Sequence, residues 1–111
     1  MKIPEGFTKI CQIKDLKENS GKRFFIGDID TAVFKLNNEI FALSNICPHQ
    51  HAALLFDGFI EDEFIACPAH GWQFSLRTGK TPEGRNGISI YETFIEDGWL
   101  YIKAHKKELA W

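Results

Sequence analysis

Two short segments hold residues whose types and spacing suit metal chemistry. Cys47-Pro48-His49 places a thiol and an imidazole one residue apart, and Cys67-Pro68-Ala69-His70 places them two apart. Seventeen residues, Gln50 to Ala66, separate His49 from Cys67. Each segment offers one soft thiolate and one borderline imidazole, donors that suit iron–sulfur clusters or zinc. The proline after each cysteine fixes its own φ and removes one N–H, which stiffens the loop. Gly71 follows His70 and permits a bend or a close backbone approach. A Cys2His2 zinc site is chemically reasonable. Zinc sites usually pair Cys with Cys and His with His, however, so two mixed pairs fit one less well.

The double motif, Cys-x-His then Cys-x-x-His, resembles that of the Rieske-type ferredoxins. The likeness extends to Ser75-Leu76-Arg77-Thr78-Gly79-Lys80, similar to the turn after the second ligand loop in that family, and to the closing hairpin around Asp97-Gly98. It covers nearly the whole chain and is weakest over residues 1–25. The resemblance implies a [2Fe–2S] cluster, with Cys47 and Cys67 on an inner iron and His49 and His70 on an outer iron near the surface. Neutral imidazoles leave the oxidised centre with two fewer negative charges than four thiolates would. His ligation therefore raises the potential. High-potential relatives carry a further disulfide-linked Cys in each ligand loop; the matching positions here are Ala52 and Ala69. Those relatives also donate hydroxyl hydrogen bonds to the cluster from positions that here are Trp72 and Phe74. Lacking these donors, the cluster is expected in the bottom part of the Rieske range, which runs from roughly −150 to +300 mV.

Other polar and thiol residues have plainer readings. His51 is expected as an exposed side chain beside the site, and His105 as part of a solvated basic tail with Lys103, Lys106 and Lys107. Cys11 lies in an apolar strand and reads as a small buried hydrophobe. Trp72 is either core or a shield for the cluster. Asp57, Glu61, Asp62 and Glu63 read first as a solvated acidic turn, and second as a feature that steers a basic partner. Pro48, Gln50, Pro68 and Trp72 are candidates to rim an apolar patch of the small kind used in redox encounters.

The elements that must position these residues read as strands. Phe7 to Ile13 suits a first strand, Lys17 to Gly21 a loop, and Arg23 to Ile26 a short apolar run. Thr31–Leu36 and Glu39–Leu43 flank Asn37-Asn38, a tight hairpin signal; Ile88–Ile95 and Trp99–Ile102 flank Asp97-Gly98, a stronger one. Gly58–Glu61 and Phe64–Cys67 flank Asp62-Glu63, so a small sheet is expected within the metal-ligand region itself. Lys106 to Trp111 reads as a helical turn or a frayed tail. The expectation is an all-β, antiparallel sandwich or barrel, a single domain over 1–111 with a cluster-binding insertion at about 45–84.

Composition bounds the function. The chain has 111 residues, 44% of them apolar, and a net charge of −2. A nucleic-acid binder would need a concentrated basic face, and none is present. No apolar run approaches a membrane span, and the N-terminal residues lack the apolar core of a signal peptide. Three cysteines argue against a secreted disulfide framework, so a cytoplasmic location is expected. After the two ligand histidines only His51 and His105 remain, so a two-His-one-carboxylate iron triad would have to use both, one of them from the basic tail. The expectation is therefore an electron carrier without its own catalytic site. It would take electrons from a flavin-dependent reductase and pass them to a terminal oxygenase or other oxidoreductase. The alternatives are a small subunit resembling that of NAD(P)H nitrite reductases, and a zinc-binding interaction module.

Overall fold

The computed structural model describes residues 3–46, 55–68, 72–84 and 87–104. Among these described residues, nine strands follow in chain order: β1 (Thr8–Gln12), β2 (Ser20–Ile26), β3 (Ile29–Leu36), β4 (Glu39–Ser44), β5 (Phe59–Glu61), β6 (Phe64–Ala66), β7 (Gln73–Ser75), β8 (Ile90–Glu96) and β9 (Trp99–Lys103). Six of them form one antiparallel sheet in the order β1-β9-β8-β4-β3-β2, and β5-β6-β7 form a second. The larger sheet curls into a nearly closed barrel, in line with the all-β expectation. A short 3₁₀ turn, Ile13–Asp15, lies between its two edge strands.

Turn chemistry explains the hairpins. Asn37 and Asn38 both take positive φ (52° and 64°), as do Asp97 and Gly98 (55° and 80°). Positive φ at both central residues is the type I′ condition, whose twist matches that of the strands. Asp62 and Glu63 do the same (50° and 66°), an uncommon conformation for a glutamate. The β2–β3 hairpin turns on Gly27-Asp28, with positive φ only at Gly27.

Three expectations need correction. Ser20 and Gly21 belong to β2 rather than to a loop. A Cβ on Gly21 would collide with the carbonyl oxygen of Phe56 and the ring of Phe34, so its small size serves packing. The second sheet has a third strand, β7, that alternation over three residues could not reveal. Finally, Ile88 and Ser89 precede β8, and Ile13 lies beyond β1. The segment Lys106–Trp111 lies outside the described residues.

The core comes in two parts because the central strands are covered on both faces. Val33 and Ala42 point into the barrel with Cys11, Leu16, Ile26, Tyr91, Leu100 and Ile102. Ala32, Phe34, Phe41 and Leu43 point the other way, against Leu55, Ile65, Cys67, Phe74 and Leu76 of the region that carries the small sheet. Successive residues of β3 and β4 thus serve opposite cores, as the two-residue strand period requires. Cys11 is buried as expected, and burial, aided by nearby Asp15, pushes its thiol pKa up.

Candidate metal centre

Of the four candidate ligands, Cys67 lies among the described residues. Cys47, His49 and His70 lie outside them, as do Pro48, Gln50, His51, Ala52, Ala69 and His105. The described residues flank both ligand segments, and these flanks are tightly built.

The first segment is held at its two ends by Asn45, which is fully buried. Its backbone N–H donates to the carbonyl of Asp30 (3.0 Å), and its own carbonyl accepts the N–H of Leu55 (3.3 Å). Its side-chain amide donates to Asp30 Oδ1 (3.0 Å) and accepts the N–H of Phe56 (2.7 Å). One side chain therefore ties the residues before Cys47 to those after Leu54. Asp30 is held in turn by Arg23, whose Nε reaches Oδ1 at 3.0 Å and whose Nη2 reaches Oδ2 at 2.6 Å. Burying an amide costs free energy unless its polar atoms are paired, and here donor and acceptor are both used.

The second segment is the loop of the β6–β7 hairpin. Ala66 pairs with Gln73, and one step further the N–H of Cys67 donates to the carbonyl of Trp72 at 2.7 Å. That bond closes the loop holding Pro68 to Gly71. Cys67 is buried, carries no disulfide, and packs in the core with Leu55 and Phe74.

The two flanks meet. Gly58 lies so close to Ala66 that a Cβ would collide with the Ala66 carbonyl oxygen. Its N–H donates to Leu55 (3.0 Å), closing the short 3₁₀ turn Leu55–Asp57 after the first segment. The exit of the first segment thus abuts the entry to the second, one residue before Cys67. A buried free thiol at this junction suits a thiolate ligand to iron or zinc. Among the described residues alone, no group of three or more ligand side chains assembles.

Arg77 fastens the two sheets together. It bonds Glu63 through Nε and Nη2 (3.0 Å each) and Glu39 through Nη1 and Nη2 (3.1 and 2.7 Å). Its guanidinium also lies 5.3 Å from the centre of the Phe41 ring. These bonds hold both carboxyls below the usual carboxylate range and push the guanidinium up. Glu63 is therefore an ion-pair partner, whereas Asp57, Glu61 and Asp62 stay exposed. Trp72 is exposed rather than core, and Phe74, the other position without a hydroxyl, is fully buried.

Sequence reasoning missed Asn45, Asp30, Arg23 and Gly58. An amide two residues before a candidate ligand, at the end of an apolar strand, was the available signal for Asn45. The others act through pairing that sequence spacing does not display.

Comparison with known proteins matches residues 6–89 to the Rieske [2Fe–2S] domain. The chain is 31% identical over 74 residues to the ferredoxin component of an alkene monooxygenase system from Xanthobacter autotrophicus, covering 67% of this chain and 61% of that protein. It is 32% identical over 92 residues to an anthranilate 1,2-dioxygenase ferredoxin subunit from Burkholderia cepacia, covering 81% and 84%. A nitrite reductase [NAD(P)H] from Emericella nidulans is 32% identical over 87 residues, 69% of this chain but 8% of that protein. The chain thus spans less than two thirds of the alkene monooxygenase component and a small part of the nitrite reductase. Among solved structures, a ferredoxin from Sphingomonas yanoikuyae B1 superposes with a TM-score of 0.76 at 28% identity, covering 89% of this chain and 99% of that one. With 84 of its residues matched by the family model and an anthranilate dioxygenase subunit aligned over most of both lengths, the chain belongs to the Rieske [2Fe–2S] domain family.

Proposed function

We propose that this chain carries single electrons from a flavin-dependent reductase to a terminal oxygenase or other oxidoreductase. The observation that carries the reading is the junction at Gly58 and Ala66, which sets the flanks of both ligand segments side by side with Cys67 buried between them. Cys47 and Cys67 would hold the inner iron, and His49 and His70 the outer one. When bound, the cluster would supply one-electron exchange. The chain's own residues do the rest. Asn45 fixes the first segment, the Cys67–Trp72 bond fixes the second, and Leu55, Ile65 and Phe74 exclude water from the cysteine side. Relatives named as ferredoxin components of monooxygenase and dioxygenase systems support the oxygenase assignment.

In this reading the chain acts as one domain over 1–111, works in the cytoplasm and relies on its partners for catalysis. No described helix is long and apolar enough to cross a membrane. The similarity to part of a nitrite reductase supports a second reading, a cluster-bearing unit of such an enzyme. Co-purification from the native host separates the two, since only the second requires stable association.

The test is analysis of the purified protein. The expected result is two irons and two sulfides per chain, and donation of one electron per cluster to an acceptor after reduction. Stoichiometric zinc without iron, or no electron delivered, would refute the reading.

A further inference from the structure

Four large apolar side chains are exposed among the described residues: Phe59 (71%), Phe25 (61%), Ile95 (50%) and Trp72 (44%). Three of them sit at the end of the molecule that carries the ligand segments. Trp72 lies two residues after His70, and its carbonyl closes the second segment. Phe59 pairs with Ala66, so it lies one strand spacing, roughly 5 Å, from the residue before Cys67. Phe25 pairs with Asp30, the residue that receives the Asn45 side chain. The register agrees: Thr31 pairs with Ser44, which puts the Phe25 end of β2 beside the exit of β4. Arg23 links Phe25 to this region, with its guanidinium 4.8 Å from the Phe25 ring and 5.9 Å from the Phe56 ring. Ile95 lies elsewhere. Ile90 pairs with Leu43 near the ligand end, and Ile95 is five residues further along β8 towards the Asp97-Gly98 turn.

Exposed aromatics gathered at one end, with a single aliphatic at the other, are unlike the scattered apolar residues of an ordinary surface. Exposed acidic residues neighbour these aromatics along the chain, Asp57 and Glu61 two residues either side of Phe59 and Asp28 three residues after Phe25, while the nearby Arg23 pairs with Asp30. Glu61 shares the outer face of the small sheet with Phe59, since strand residues two apart point the same way.

We infer that Phe25, Phe59 and Trp72 form a docking surface for a redox protein whose contact face has an apolar centre ringed by lysine or arginine. The inference rests on the electron-carrier reading and adds to it the partner's surface chemistry and the residues that meet it. Aromatic anchors supply contact area, and the acidic ring speeds encounter through long-range attraction. Three aromatic anchors suit a small interface, from which a partner can leave after each electron.

The test uses the holoprotein, reduced and desalted anaerobically, and mixed in a stopped-flow instrument with mitochondrial cytochrome c. That protein surrounds its exposed haem edge with lysines; its lysine-succinylated form reverses that charge. The second-order rate is expected to fall as salt rises, and to fall at least about tenfold with the succinylated form. Phe25→Ser and Phe59→Ser should each slow transfer about threefold and together about tenfold, with midpoint potentials unchanged. Ile95→Ser should transfer at the wild-type rate. Equal slowing by Ile95→Ser, wild-type rates in both Phe variants, or indifference to succinylation would overturn the inference. So would a wild-type dimer in sedimentation that the Phe variants dissolve, because the patch would then serve a second copy. A preparation lacking the cluster's visible absorption would instead defeat the electron-carrier reading, since no variant could then reduce the cytochrome.

Discussion

Replacing Asn45 with alanine should destabilise the protein and loosen its cluster together. The substitution removes the donor to Asp30 Oδ1 and the acceptor of the Phe56 N–H in a site that is fully buried. Asp30 keeps its two bonds to Arg23, so its charge stays compensated. The Phe56 N–H loses its side-chain acceptor. One lost bond to a charged acceptor and one stranded N–H together cost about 3 kcal/mol. For a domain of this size that lowers the melting midpoint by about 12–20 °C. The assay is far-UV circular dichroism during a thermal scan, with visible absorption followed in the same cuvette. Bleaching should begin before global unfolding, because the lost bond between Asn45 and Phe56 joins the two ends of the first ligand segment. Asn45→Asp separates the two bonds. A carboxylate at position 45 still accepts the Phe56 N–H but faces the carboxylate of Asp30. Burial and like charge raise the pKa of the new group above about 4, its unfolded value. A raised carboxyl favours the folded state only while protonated, so this variant should lose stability as pH rises above about 4. An Asn45→Ala midpoint within about 4 °C of wild type, or bleaching that tracks global unfolding, would refute the reasoning.

Further outcomes follow from other contacts. Gly58→Ala should prevent cluster assembly, because its methyl group overlaps the Ala66 carbonyl oxygen and the backbone must move; iron content of the purified variant measures this. Glu39 and Glu63 have lowered pKa values, so the Arg77 network contributes stability above the usual carboxylate range and loses it as pH falls through the lowered values. Arg77→Met should therefore flatten the acid side of the stability curve, as measured by urea midpoints between about pH 5 and pH 3. Alkylation of Cys11 at mildly alkaline pH should be slow in the folded protein and fast once it is unfolded, read as mass shift of its peptide, because burial keeps the thiol protonated. Protein-film voltammetry should place the midpoint in the bottom part of the span from roughly −150 to +300 mV, since Trp72 and Phe74 offer no hydroxyl to the cluster.

The parts of the fold set by local chemistry could be read from the sequence. Asn37-Asn38 and Asp97-Gly98 adopt the backbone their residue types favour, as does Asp62 beside the less usual Glu63, and the strands they join followed. Gly27-Asp28 carried the same kind of signal at the β2–β3 turn and went unread. Strand β7 was hidden because three residues cannot show alternation. The family and the cluster were legible because two mixed Cys/His pairs at this spacing are rare. What stayed hidden acts across the chain. Asn45 matters through Asp30, fifteen residues away, and Phe56, eleven residues away. Gly58 matters through the strand register that sets Ala66 against it. Glu63 looked like one acid in a solvated turn because its partner, Arg77, lies fourteen residues further on.

The central claim is that two histidines and two cysteines, His49, His70, Cys47 and Cys67, hold one cluster. Pulsed EPR on the reduced protein, grown with ¹⁵N-histidine, tests it most directly. The account predicts hyperfine coupling from two inequivalent histidine nitrogens on the reduced iron, with one set lost or replaced in His70→Cys. A cluster signal with no histidine coupling, or no paramagnetic signal after reduction, would contradict it.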